Sequence, residues 1–210
     1  MPAEERCAKP NCTRSALVAS KYCYGHLPDP AAWRDRLREA FADQHELDGS
    51  NLTGATVEGM DLTGKALRQC RLSSAVLVRC RLDNTNWHMC LLDNTRIDRC
   101  SFRETIVRSS VFAGSTIVDS DFSGSDVIQS NFNGARIERT SFQDCDLTFS
   151  RFIAARLDTI LFVNCNLKNV YFMDSDRHKV TFKLSNAEYA MFERTAEHSG
   201  ELHHYESFYS

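Results

Sequence analysis

The chain has 210 residues, 42% of them hydrophobic, with 25 basic and 28 acidic side chains and a formal net charge of −3. A charge so close to balance argues against a protein held to nucleic acid or an anionic membrane by its global field. No apolar run approaches the eighteen or so residues of a membrane helix, and the acidic start MPAEER lacks a signal-peptide pattern, so a cytoplasmic protein with no membrane segment in this chain is expected.

Residues 1–28 form the first expected unit. Cys7, Cys12, Cys23 and His26 follow the spacing Cys-x4-Cys-x10-Cys-x2-His. Three thiolates and an imidazole in two close pairs suit a closed tetrahedral zinc site, structural because no coordination position is left open. Such an ion would stabilise a segment too small to fold unaided. The segment resembles short Cys3His knuckles found as N-terminal appendages in many bacterial proteins. Lys9, Arg14 and Lys21 are too few to argue for nucleic-acid binding, so no direct contact of that kind is expected.

A capping helix and linker are expected over residues 29–49. Asp29-Pro30 is a helix start, with an N-cap carboxylate and a proline in the first turn. Trp33, Leu37, Ala40 and Phe41 then share one face, and Arg34, Arg36, Arg38, Glu39 and Asp43 cover the other, which predicts a helix to about residue 46. Its one apolar stripe suits closing the open end of a stack.

Residues 50–192 carry a theme five residues long. Every fifth position from Leu52 to Phe172 is large and apolar without a slip of phase, and the residue two before each is mostly small, as at Ala55, Cys70 and Ser110. Neither a helix (period 3.6) nor an alternating strand (period 2) has this spacing, so the segment is a repeat. Six of the nine cysteines, Cys70, Cys80, Cys90, Cys100, Cys145 and Cys165, occupy the small position, where a reduced thiol acts as a small hydrophobe.

Segments such as SNLTG, ATVEG, MDLTG, SDFSG and SNFNG resemble the pentapeptide-repeat family. The resemblance implies an all-β solenoid, a right-handed quadrilateral β-helix with four pentapeptides per coil and with each centre and small residue pointing inward. Sorting centres by twenty residues supports this independently. Ten phenylalanines, from Phe102 to Phe192, fall on two opposing walls, with mainly branched aliphatics on the other two. Cys70 stacks on Cys90, Cys80 on Cys100 and Cys145 on Cys165, and the whole makes about seven coils. The phase falters at Arg177, predicting a turn or bulge over Ser175–Lys179.

Function must then lie on the outside, which is electrically bland. Between Asp48 and Arg194 there are eighteen basic and eighteen acidic residues. The pairs Arg96/Asp98, Arg136/Glu138 and Arg156/Asp158 read as an exposed ion-pair ladder. Ile153, Leu161, Tyr171, Met173 and Met191 form an outward apolar group in the C-terminal coils, marking a contact surface for a protein partner or, as a homodimer, for a second copy. No nucleophile–base pairing, phosphate loop or H-E-x-x-H motif is present, so an enzyme is not expected. The leading reading is a rigid protein-interaction scaffold. An alternative follows from the resemblance: some family members protect DNA gyrase by imitating duplex DNA, though that mimicry uses a strongly acidic surface. A third reading makes the chain a structural module of a longer polypeptide. Residues 193–210 read as a short helical tail whose His198, His203 and His204 are solvated.

Overall fold

The computed structural model of the chain describes residues 5–192. One helix, α1 (Pro30–Ala42), precedes eleven short strands: β1 (Thr56–Glu58), β2 (Ala66–Arg68), β3 (Val76–Val78), β4 (Asn86–His88), β5 (Arg96–Asp98), β6 (Ile106–Arg108), β7 (Thr116–Val118), β8 (Asp126–Ile128), β9 (Arg136–Glu138), β10 (Arg156–Leu161) and β11 (Asp176–Thr181). The odd-numbered strands to β9, followed by β10 and β11, form a seven-stranded sheet, six turns from end to end, and β2, β4, β6 and β8 form a second sheet. All pairing within the two sheets is parallel and twenty residues in register, as in Val57↔Leu77 and Leu67↔Trp87, so the expected β-solenoid with four pentapeptides per coil is present.

Four walls result. Wall A has centres Leu52 to Phe192, wall B Val57 to Arg177, wall C Leu62 to Phe182, and wall D Leu67 to Leu167. Walls B and D carry the sheets, whereas A and C are joined by single bridges such as Asn51↔Arg71 and Asp61↔Arg81. Part of the cause is local. At four of these levels an Asn or Asp before the centre accepts the backbone N–H two residues on: Thr53 N–H to Asn51 Oδ1 (3.1 Å), Thr63 N–H to Asp61 Oδ1 (3.0 Å), and likewise at Asp121 and Asn131. Such a bond favours a turn over a strand. Wall D shows the same rule by exception: at Asp146-Leu147-Thr148 the Thr148 N–H bonds Asp146 (2.9 Å), and the strands of this wall give way to a single bridge, Asp126↔Asp146.

Each pentapeptide ends at a corner in the left-handed region, at every fifth residue from Gly49 to Leu184. Most corner residues are not glycine, and Thr159 (φ 57°) is β-branched. A left-handed non-glycine residue costs roughly 1–2 kcal/mol, of which glycine's larger unfolded-state entropy cancels about half. Thr159→Gly is therefore expected to raise stability by about 0.5–1 kcal/mol in chemical denaturation.

The bore is filled by rings. Phe102 stacks on Phe122 (4.4 Å between centroids, 6° between planes) and Phe112 on Phe132 (4.7 Å, 9°). Across the bore the two columns meet edge to face, as in Phe132–Phe142 (6.3 Å, 86°). Stacked and T-shaped geometries are the two that ring quadrupoles favour. Small residues complete the interior, donating to carbonyls 23 residues earlier, as Thr95 does to Leu72 (2.7 Å) and Cys165 to Phe142 (2.8 Å).

The sequence predicts α1 to about residue 46, but it ends at Ala42. Lys65 Nζ reaches the Gln44 carbonyl (2.6 Å) just beyond the helix, and the chain then pairs with wall D through the Leu47 N–H and the Ala66 carbonyl (2.8 Å). Leu47 is buried, five residues before Leu52, so the five-residue phase starts one pentapeptide earlier than expected. Trp33, Leu37 and Phe41 are buried in the same core as Leu52 and Leu62, the capping role read from the stripe. At the other end the expected turn at Ser175–Lys179 is absent. Strand β11 runs through it with Arg177 opposite Leu157, and the guanidinium lies 4.9 Å from the Phe192 ring centroid. A cation–π contact lets arginine occupy a centre where the core ends. The predicted tail and its histidines lie outside the described residues.

Candidate metal centre and outer walls

The N-terminal segment folds as a hairpin and a single helical turn. Cys7 N–H bonds the Arg14 carbonyl (2.9 Å), and Cys12 N–H closes a turn on Lys9 (3.1 Å) through Asn11 at φ 62°. A 3-10 turn at Tyr24–His26 then brings His26 back over Cys23. The structure thus gathers all four residues singled out from the spacing, and their ligand atoms lie within 4.8 Å of one another.

The separations are informative. Cys7 Sγ and Cys23 Sγ each lie 3.4 Å from His26 Nδ1, and Cys12 Sγ lies 3.9 Å from Cys23 Sγ. A tetrahedron with metal–sulfur bonds near 2.3 Å and a metal–nitrogen bond near 2.0 Å has edges of about 3.8 Å between sulfurs and about 3.5 Å from sulfur to nitrogen. The donor set and spacing therefore fit a metal ion. Burial opposes ionisation of Cys7, but hydrogen bonds from the backbone at Cys23 and Lys9 and from His26 outweigh it and bring the thiol down to about 6. Cys23 moves the other way, pushed up by burial and by the neighbouring Cys7 and Cys12.

This module is docked on the solenoid. Trp33 Nε1 of α1 donates to the Val18 carbonyl (3.0 Å), Val18 N–H to the Asn51 carbonyl (2.9 Å), and Asn51 Nδ2 to the Ala16 carbonyl (2.6 Å). Between module and first coil lies a cleft of about 770 Å³, lined by Leu17, Val18 and Tyr22 on one side and by Ser50, Asn51 and Arg71 on the other.

The outer walls differ in character. Wall B carries the ladder read from the sequence: Arg96 pairs with Asp98 (2.7 Å) and Arg136 with Glu138. The third predicted rung departs from it, because Asp158 accepts the Thr159 hydroxyl (2.9 Å). Arg139 crosses to Asp119 and Arg103 to Asp121. Hydrogen bonding to Arg96 holds the Asp98 carboxyl below the usual range, and Arg139 does the same for Asp119. Because these folded values lie below the ordinary 3.9 or so, the stabilisation is complete above that pH and is lost as pH falls through the lower values. Denaturation midpoints are expected to be flat from neutral pH to about 5 and to drop below about 4, with Asp98→Asn removing part of the drop.

Wall A is the exception. The described side chains flanking its centres include three charges, Arg71, Asp93 and Arg151, against eight beside the centres of wall B. Toward its C-terminal end Ile153, Tyr171 and Met173 are half-buried and Met191 is exposed. The corner before this wall adds Phe149 and Tyr189, 48% and 60% exposed, which the five-residue pattern did not flag because it tracks inward positions. Leu161, grouped with these residues in the sequence, lies half a coil away on the opposite wall.

Comparison with known proteins places the fold. Two family models match: pentapeptide repeats over residues 50–86 and 95–134, and a pentapeptide repeat region over 115–192. The chain belongs to the pentapeptide-repeat family. Among solved structures it is similar to HetL of the cyanobacterium Nostoc sp. strain PCC 7120, a pentapeptide-repeat protein involved in heterocyst differentiation regulation (13% identity, 74% of this chain and 94% of that one, TM-score 0.43). It is also similar to a pentapeptide-repeat protein of the Arabidopsis thaliana thylakoid lumen (16%, 59% and 69%, TM-score 0.34). A third is QnrB1, a plasmid-mediated fluoroquinolone resistance protein (16%, 70% and 79%, TM-score 0.24). No curated protein matches. Among the described residues no helix is long and apolar enough to cross a membrane.

Proposed function

We propose that this pentapeptide-repeat protein is a non-enzymatic, rigid interaction scaffold whose wall A takes a protein partner at its C-terminal coils. A structural zinc ion held by Cys7, Cys12, Cys23 and His26 staples the N-terminal end. The observation that carries the reading is the charge-poor wall ending in exposed Phe149, Tyr189 and Met191, a composition typical of contact surfaces. A bore packed with stacked phenylalanines supports the non-enzymatic part, since it leaves no room for a substrate inside the solenoid. A cytoplasmic, reducing setting suits nine cysteines of which none is in a disulfide. Imitation of duplex DNA needs an acidic surface, whereas the carboxylates of wall C are matched by arginines, as in Arg81–Asp61 (3.2 Å).

Affinity capture from a cell lysate tests the scaffold. The intact chain is expected to retain a partner that the Tyr171→Asp, Met191→Asp double variant loses. Equal capture by both, or none by either, would count against the reading.

A further inference from the structure

Wall A has a self-complementary layout. Its eight levels, from Leu52 to Phe192, are a coil apart, hence roughly 34 Å long at the strand spacing. A two-fold axis lying in the wall, along the strand direction and midway between the levels of Phe112 and Phe132, sets each level against its mirror: 72 against 172, 92 against 152. Flanking columns then face themselves. Arg71 meets Tyr171 of the second copy, a cation–π pairing. Asp93 lies diagonal to Arg151 of the second copy, two residues along the strand or about 7 Å, within an arginine's reach. The centre of the contact is uncharged, Val111 and Ala113 against Asn131 and Asn133. Asp93, which also accepts the Ser73 hydroxyl within its own chain (2.5 Å), and Arg151 are thus of opposite charge across the contact, while Arg71 lies opposite a ring.

The ends complete the fit. At the level of Asn51 and Arg71 the cleft beside the N-terminal module opens, with Leu17, Val18 and Tyr22 on its wall. The same axis brings Tyr189 and Met191 of the second copy to that level, an exposed aromatic and apolar end toward a cleft with Leu17, Val18 and Tyr22 on its wall and charged residues such as Lys21 and Asp48 at its sides, twice per pair. The flat part alone, roughly 34 by 12 Å or about 400 Å², is short of the 800 Å² or so per partner that stable dimers bury. Seating both C-terminal ends in the two clefts has to supply the remainder. We infer that the chain forms an antiparallel, side-by-side dimer through wall A, the C-terminal coils of each copy seated in the N-terminal cleft of the other. The inference rests on reading wall A as a contact surface and names its occupant as a second copy.

Sedimentation equilibrium of the full chain, purified without chelator, tests it. A dimer is expected. Arg151→Asp, at an exposed side chain, should weaken it at least about tenfold, Asp93→Arg should do likewise, and the double exchange should restore it. Tyr189→Asp should weaken it independently through the cleft, with the far-ultraviolet circular dichroism spectrum of each variant unchanged. A monomer at every attainable concentration overturns the inference, as does a dimer indifferent to Arg151→Asp and Tyr189→Asp. A monomer whose lysate capture still depends on Tyr171 and Met191 overturns the second copy while the scaffold reading stands.

Discussion

Phe142→Ala is expected to cost about 3–5 kcal/mol, the range for emptying a buried phenylalanine site. Phe142 is fully buried, stacks on Phe122 (5.0 Å) and Phe162 (5.3 Å), and meets Phe132 and Phe152 edge to face. Four ring contacts therefore fail at once, and the cavity cannot close because the coils above and below are held by backbone bonds at fixed spacing. Against a total stability of about 5–15 kcal/mol, that loss is a large share. Phe192→Ala should cost visibly less. Among the described residues it stacks on Phe172 (5.2 Å) and meets Phe182 edge to face (5.4 Å), with Arg177 beside it, and a solenoid is coupled chiefly to its nearest coils. Urea denaturation of both variants checks the gradient; equal losses would mean that the stack does not carry stability coil by coil.

Metal removal is expected to act on the other end of the molecule and by a different route. The purified chain should hold about one equivalent of zinc, and Cys23→Ser should bring this to background, since a closed structural site needs all four donors. Structural zinc contributes about 10–16 kcal/mol of apparent binding free energy in isolated fingers, more than a segment of this size can replace from its own core. Chelation should therefore unfold residues 5–28, with loss of the Val18 and Ala16 contacts to Trp33 and Asn51. The phenylalanine bore contains no ligand and should keep its own cooperative transition. Hydrogen exchange with and without chelator separates the two. N-terminal protection that survives complete metal removal would show that the hairpin bonds of Cys7 and Leu17 hold the module alone.

Much of the candidate metal centre was legible because its information is local. Cys7, Cys12, Cys23 and His26 are close in sequence, and two turns bring them together. The proposed contact wall was only half legible. Tyr171 and Met191 flank inward centres and so stand out against the pattern, but Phe149 and Tyr189 are corner residues. Their relation to wall A depends on how the coil turns after them. Leu161 was misgrouped for the same reason, being near in sequence and opposite in space. Arg177 misled because a charged side chain breaks an apolar phase on paper, whereas at the last described coils it finds a ring face.

The interior was written in the chain itself. A large side chain at every fifth residue with a small one two before it marks what is buried, and phenylalanines that recur in two columns twenty residues apart match the four-cornered coil that the family resemblance implies, so core, register and ring stacking follow from side-chain volume. Only the tertiary structure decided the exterior: which corner residues join which wall, where the N-terminal module docks, and that a cleft opens beside Arg71. Those features depend on contacts between segments far apart in the chain, and outward side chains are under no packing constraint that would write them into the period.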